Sequence, residues 1–226
     1  MSPTSRLPDV LVYTRTTGYR HDSIPAARAA LRELGEDAGF TVETSEDPAV
    51  FTDASLAGRG AVVFLSTSGD VLTHEGRAAL QRWTTAGGGF LGIHSAACTE
   101  YAWPYYGELL GARFAGHPDV QPGTVLVEDP DHPATRHLPP RWEWTDEWYD
   151  FRAAPRRPGV RVLATVDETG YEGGGMGADH PLVWCQESGA GRSFYTALGH
   201  AADAYTDPAF RRHLLGGLRW AAGSAG

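Results

Sequence analysis

Three histidines follow short apolar runs and sit beside small or hydroxylated residues, a setting in which an imidazole can handle protons or hold a metal. His94 lies in Gly92-Ile-His94-Ser95-Ala96, where an apolar run passes directly into a segment expected to be helical from near Ser95. His21 lies in Gly18-Tyr-Arg-His21-Asp-Ser23, and His200 follows Gly199 after the last apolar run. A side chain at so abrupt a strand-to-helix junction is thrust out of the sheet, next to helix amides and the positive end of the dipole. That field disfavours an imidazolium. His94 is therefore expected to be neutral and competent as a base, a hydrogen-bond partner or a metal ligand. The bland alternative is a histidine that caps the helix or packs under a loop.

The acidic partner is sought in Trp142-Glu-Trp-Thr-Asp-Glu-Trp-Tyr149. If extended, this segment puts Trp142, Trp144, Asp146 and Trp148 on one face and Glu143, Thr145, Glu147 and Tyr149 on the other. A Trp-rich face packed on the core explains the first set, and Glu147 with Tyr149 remains the candidate pair for a site. Cys98, four residues beyond His94, reads as a small buried side chain and not as a displaced nucleophile. Cys185 reads the same way. His117 and His180 precede prolines and are expected only to shape turns. His74, His132, His137 and His213 are expected on the surface or on helix faces.

The elements that must position these groups alternate. Asp9–Thr14, Thr41–Thr44, Ala61–Leu65 and Gly89–Ile93 read as strands, separated by helical patterns over Ile24–Gly39 and Thr73–Ala86. This order predicts a doubly wound, mainly parallel α/β sheet, in which ligands bind outside the carboxyl ends of the strands. His21, Ser66–Asp70, His94 and Ser95, and His200 all fall on that edge. From 114 to about 158 strands such as Thr124–Val127 and Trp142–Phe151 follow one another without a long helix, so a small antiparallel extension is expected there. The alternation is then expected to resume with strands over Val160–Val166, Leu182–Gln186 and Ser193–Leu198 and a closing helix over Pro208–Ala222. The 226 residues are expected to form one enlarged domain.

Composition excludes several classes. A net charge of -9 argues against a nucleic-acid surface. All 19 basic residues are arginine, so no Schiff-base lysine exists. No run approaches the length of a membrane span, Met1–Asp9 does not read as a leader, and two distant cysteines form no disulfide framework. The expected location is the cytoplasm. Gly173–Gly177 is followed by no Gly-Lys-Ser/Thr, which argues against a phosphate loop.

Taken together, Gly18-Tyr-Arg-His21-Asp-Ser-Ile24, Gly88-Gly-Phe-Leu-Gly-Ile-His94-Ser95, Asp146-Glu147-Trp-Tyr149 and His180–Trp184 continuing to Tyr195-Thr-Ala-Leu-Gly199-His200 resemble the ThuA-like, or trehalose-utilisation, proteins. The resemblance implies a flavodoxin-like fold of the class I glutamine-amidotransferase-like kind. It places His94 where amidotransferases carry their cysteine nucleophile and His200 near their triad histidine, so thioester chemistry is not available at this turn. It also implies trehalose-related or keto-sugar substrates. The reading is a carbohydrate-processing enzyme in which His94, His200 and Glu147 are catalytic and His21, Ser95 and Tyr149 contact the substrate. A divalent metal such as zinc suits three imidazoles and a carboxylate. The expected partner is a small carbohydrate, not nucleic acid or membrane, and a homo-oligomer is compatible with the sequence. The alternative is a non-catalytic sugar- or partner-binding module that retains the pocket.

Overall fold

The computed structural model describes residues 9–223. The leader reading of Met1–Asp9 falls almost wholly outside them. Among the described residues no helix is long and apolar enough to cross a membrane.

Nine strands form the main sheet. Its parallel half is β1 (Val10–Tyr13), β2 (Val42–Ser45), β3 (Ala61–Leu65), β4 (Gly89–Ile93) and β11 (Gly191–Thr196), and its other half is β6 (Gln121–Val127), β7 (Arg141–Asp146), β9 (Val160–Val166) and β10 (Pro181–Ser188). The spatial order is β2-β1-β3-β4-β11-β10-β9-β6-β7. Pairing is parallel from β2 to β11 and antiparallel from β11 to β7. The doubly wound α/β reading holds, and the antiparallel part is wider than the middle segment alone. β9 and β10, expected to resume the parallel pattern, join it instead. Two short strands, β5 (Phe114–Gly116) and β8 (Asp150–Phe151), pair separately.

The described residues also form five α-helices: α1 (Ile24–Ala38), α2 (Asp53–Leu56), α3 (His74–Thr85), α4 (Pro104–Leu110) and α5 (Pro208–Ala221). α1 buries Ile24, Ala27, Ala30, Leu31 and Leu34 on one stripe and ends where Gly39 turns left-handed. Thr73 caps α3 by accepting from Gly76 N, and Asp207 caps α5 by accepting from Ala209 N and Phe210 N. Neighbouring residues of β11 point to opposite faces. Phe194 meets Gly217 of α5, whereas Tyr195 packs beside Gly92 and Leu110 of α4. α5 and its neighbour α1 therefore cover one face, and α4 covers the other with α3, whose Thr84 hydroxyl meets Tyr105 of α4 at 2.6 Å.

Some expectations are corrected. The helix α4 has no clear signal, being short and containing Gly107. The strand expected to run unbroken from Trp142 to Phe151 stops at Asp146, and Glu147, Trp148 and Tyr149 are all buried. His132 is buried in a loop, not on the surface or a helix face, and His213 lies on a helix face, the buried one of α5. His213 holds α5 to the connection between β6 and β7 through Ala134 O at 2.9 Å and to β11 through Thr196 Oγ1 at 3.1 Å.

Candidate metal and substrate site

The site begins with a strained residue. At the end of β4, His94 has φ 51°, a left-handed conformation that costs a non-glycine residue roughly 1–3 kcal/mol. Its surroundings hold it there. Tyr195 OH donates to the His94 carbonyl at 2.8 Å, and Tyr106 OH donates to the Ala96 carbonyl at 2.9 Å. Gly92 lets α4 close over the turn, because a Cβ there would lie 2.7 Å from Leu110 Cδ1. Beyond His94 the chain makes a single 3-10 turn, His94–Cys98, and not the expected helix. One such turn has no macrodipole to speak of, so the dipole argument for a neutral His94 falls away. A hydrogen bond does the orienting instead. His94 Nδ1 lies 2.7 Å from the Ala197 carbonyl, which can only accept, so a proton sits on Nδ1 and Nε2 is the atom whose lone pair this tautomer presents.

That lone pair faces a cluster. His21 comes from the loop after β1; its Nδ1 is 3.2 Å from Ser95 Oγ and its Nε2 is 3.1 Å from His94 Nε2. Glu147 follows β7, and its Oε2 lies 3.1 Å from His200 Nδ1, 3.3 Å from His94 Nε2 and 3.8 Å from His21 Nε2. His200 follows Gly199, whose φ of 111° suits glycine. The buried Asp146 carboxylate fixes both segments at once. It accepts from Glu147 N at 2.9 Å, Gly199 N at 2.8 Å, His200 N at 3.1 Å and Trp144 Nε1 at 2.9 Å.

The four ligand-type atoms lie within 4.8 Å of one another. Glu147 Oε2 and His200 Nδ1 are buried without an aligned hydrogen bond, although they approach closely. Such orphaned atoms are costly unless something else satisfies them. The residues fit a divalent ion. Tetrahedral zinc with bonds of about 2.0–2.1 Å has ligand atoms some 3.3–3.4 Å apart by simple geometry, close to the 3.1, 3.1, 3.3 and 3.8 Å separations here.

The charges agree with this arrangement. Burial pushes the Glu147 carboxyl up, but the imidazoles of His200, His21 and His94 together outweigh it and hold the group far below the usual carboxylate range. Glu147 raises the His200 pKa, whereas burial lowers that of His21. Tyr149 OH lies 3.0 Å from His94 Nε2, and burial keeps the phenol protonated.

A cavity of about 550 Å³ opens beside the cluster. Tyr19, Tyr101, Phe114 and Tyr149 give it aromatic walls, and His21, Ser95 and Glu147 reach into it. His94 and His200 stand behind that lining. Among the described residues no arginine lines it. Two residues read as turn-formers prove to be connected to the site. His117 lines the cavity, with Nε2 3.6 Å from Glu147 Oε1 and Nδ1 2.8 Å from the Pro118 carbonyl. His180 is fully buried and spans the Tyr149 carbonyl at 2.9 Å and Glu168 Oε1 at 2.8 Å. His117 had no signal beyond a proline neighbour, and His180 had only its place in a segment of the family resemblance. Cys98 also lines the cavity, but burial pushes its thiol up to about 12, which leaves it a poor nucleophile.

A family model for trehalose utilisation, ThuA, matches residues 9–221. No curated protein sequence matches the chain significantly. Among solved structures, a protein described as ThuA-like from Bacteroides uniformis superposes with a TM-score of 0.81 at 23% identity, covering 98% of this chain and 93% of that one. Another described as ThuA-like, from Parabacteroides merdae, gives 0.77 at 23% identity, covering 96% and 90%. A β-galactosidase from Bacillus circulans sp. alkalophilus gives 0.63 at 13% identity over 96% of this chain and 31% of the larger enzyme. At these identities the likeness is one of fold.

Proposed function

The chain belongs to the ThuA, or trehalose-utilisation, family, and from that premise we propose that it is a carbohydrate-processing enzyme acting on a trehalose-related or keto-sugar substrate at a divalent metal held by His21, His94, Glu147 and His200. The observation that carries this reading is the convergence of those four ligand atoms beside an aromatic-walled cavity. Aromatic faces suit the apolar faces of a sugar ring, and the lack of arginine suits an uncharged substrate.

Proton abstraction beside a ketone transfers a proton to a base while the electron pair moves onto the carbonyl oxygen, giving an enediolate. A bound metal supplies positive charge for that oxygen. The chain's own groups do the rest. Tyr149, held protonated, is a hydrogen-bond donor at the cavity wall, and Ser95 both orients His21 and offers a hydroxyl to a ligand. With three imidazoles committed to the cluster, His117 is the histidine free to exchange a proton with a ligand. Asp146 positions Glu147 and His200 without touching the cavity.

The test is a turnover screen on 3-keto-disaccharides, read by NMR, with and without chelator. Turnover that chelator abolishes supports the reading. Saturable binding with no turnover would instead make the chain a sugar-binding module.

A further inference from the structure

Behind Tyr101, on the side away from the cluster, lies a second pocket of about 400 Å³ between α4 and the segments 111–113 and 152–157. Arg113, Arg152 and Arg157 line it. Among the described residues none of the three is paired with a carboxylate, although the chain carries a net charge of -9. The contrast with Arg156 is direct: it reaches Asp179 and Glu128 at 2.6 Å.

Two of the three guanidiniums are fixed in place. Arg113 Nη2 donates to the carbonyls of Glu100 and Trp103 at 2.8 Å each. Arg157 donates to Gly111 O at 2.6 Å and to Gln186 Oε1 at 3.0 Å. Neutral acceptors orient these charges, and neither guanidinium forms an ion pair among the described residues. Arg113 Nε faces Gly107, where a Cβ would lie 2.9 Å away, so the absence of a side chain keeps that edge open. Arg152 is exposed, and its side chain makes no hydrogen bond among the described residues. Its guanidinium rests over the Tyr101 ring at 4.7 Å, with that of Arg113 over the same ring at 5.5 Å. Like charges gathered on one ring repel one another, and a bound anion relieves the repulsion.

We propose that this pocket binds an oxyanion, a phosphate or sulfate group carried free or as an ester, at a site that shares no lining residue with the cavity of the histidine cluster. Guanidinium donors match tetrahedral oxyanions in geometry and charge. Glu108, the one acid in the lining, is exposed and unpaired, and its charge opposes such a ligand.

The test is calorimetric titration of the full-length protein with inorganic phosphate, sulfate and methyl phosphate at constant ionic strength. Saturable phosphate binding is expected, weakened at least tenfold by Arg152→Gln and tightened severalfold by Glu108→Gln. It should be unchanged by His94→Ala, which disrupts the cluster. Binding of methyl phosphate would point to an ester ligand, and its absence with phosphate retained to the free ion; both fit the proposal. No saturable binding of any of the three anions, binding indifferent to Arg152→Gln, or binding lost with His94→Ala would overturn it. Because the exposed Arg152 side chain makes no hydrogen bond or ion pair among the described residues and only rests over the Tyr101 ring, the Arg152→Gln protein is expected to fold, which circular dichroism and the unfolding midpoint check.

Discussion

Glu147 Oε2 lies 3.1 Å from His200 Nδ1, and both atoms are buried without an aligned hydrogen bond. Two buried polar atoms so close and so poorly aligned are suited to a common partner. An ion between them and the Nε2 atoms of His21 and His94 would satisfy all four.

The position of this pair rests on Asp146, which makes no contact with the cavity. Asp146→Asn exchanges two acceptor oxygens for one and removes a buried charge from four donors. Charge-assisted hydrogen bonds contribute about 1.5–3 kcal/mol each, so a loss of roughly 2–4 kcal/mol is expected in urea unfolding. Zinc affinity should fall about 10–100-fold, as it does when a supporting residue of a metal site is lost. Unchanged zinc affinity in the Asp146→Asn protein would show that the two segments hold themselves.

His94 and Cys98 should behave oppositely in one assay. His94→Ala removes a cluster ligand and the hydrogen bond to Ala197, so activity or ligand binding should disappear, with about 2–3 kcal/mol of stability lost from a fully buried site. Cys98→Ser should keep most of the activity, because a thiol pushed up to about 12 supplies no thiolate near neutral pH. A folded but inactive Cys98→Ser protein would move the centre of the chemistry to the thiol.

His117 should matter for turnover and not for the metal. His117→Gln keeps the size and polarity of the side chain and removes its ability to exchange a proton. kcat is expected to fall about 10²–10⁴-fold, the usual range for a lost acid–base group, with zinc stoichiometry unchanged. Wild-type kcat in this variant would assign proton transfer elsewhere.

Acid should destabilise the protein through two histidines remote from the site. Burial lowers both His213 and His132 to about 4, well below an ordinary imidazole. Between that value and the unfolded value near 6.5 the unfolded chain binds more protons, so stability rises with pH across this window and is lost as pH falls through it. The loss should be on the order of a few kcal/mol by pH 4, since a tenfold change in proton affinity is about 1.4 kcal/mol. Urea midpoints of chelator-treated protein from pH 7.5 to 4.5 test this, and His213→Gln should flatten the slope. An unchanged slope would remove His213 from the account.

The parallel half of the sheet was legible because its strands are short apolar runs separated by helices with caps and one apolar stripe, as in Ile24–Ala38. β9 and β10 were not, since a strand buried on both faces carries the same composition whichever way it runs. His21, His94 and His200 could be gathered from position alone, because each follows a strand at its carboxyl end. Glu147 and Tyr149 followed from alternation, although the strand ends at Asp146, before both. What escaped was tertiary: the 3-10 turn after His94, the approach of His117 to the second oxygen of Glu147, and the hold of His180 on Tyr149. A proline neighbour says nothing of such contacts.

The most direct test of the central claim is the metal content of untagged protein after dialysis against zinc, measured by elemental analysis beside a His94→Ala, Glu147→Gln double variant. One equivalent of zinc per chain in the wild type and none in the variant is the predicted result. A wild-type protein that retains no zinc, or a variant that retains as much, would contradict the account.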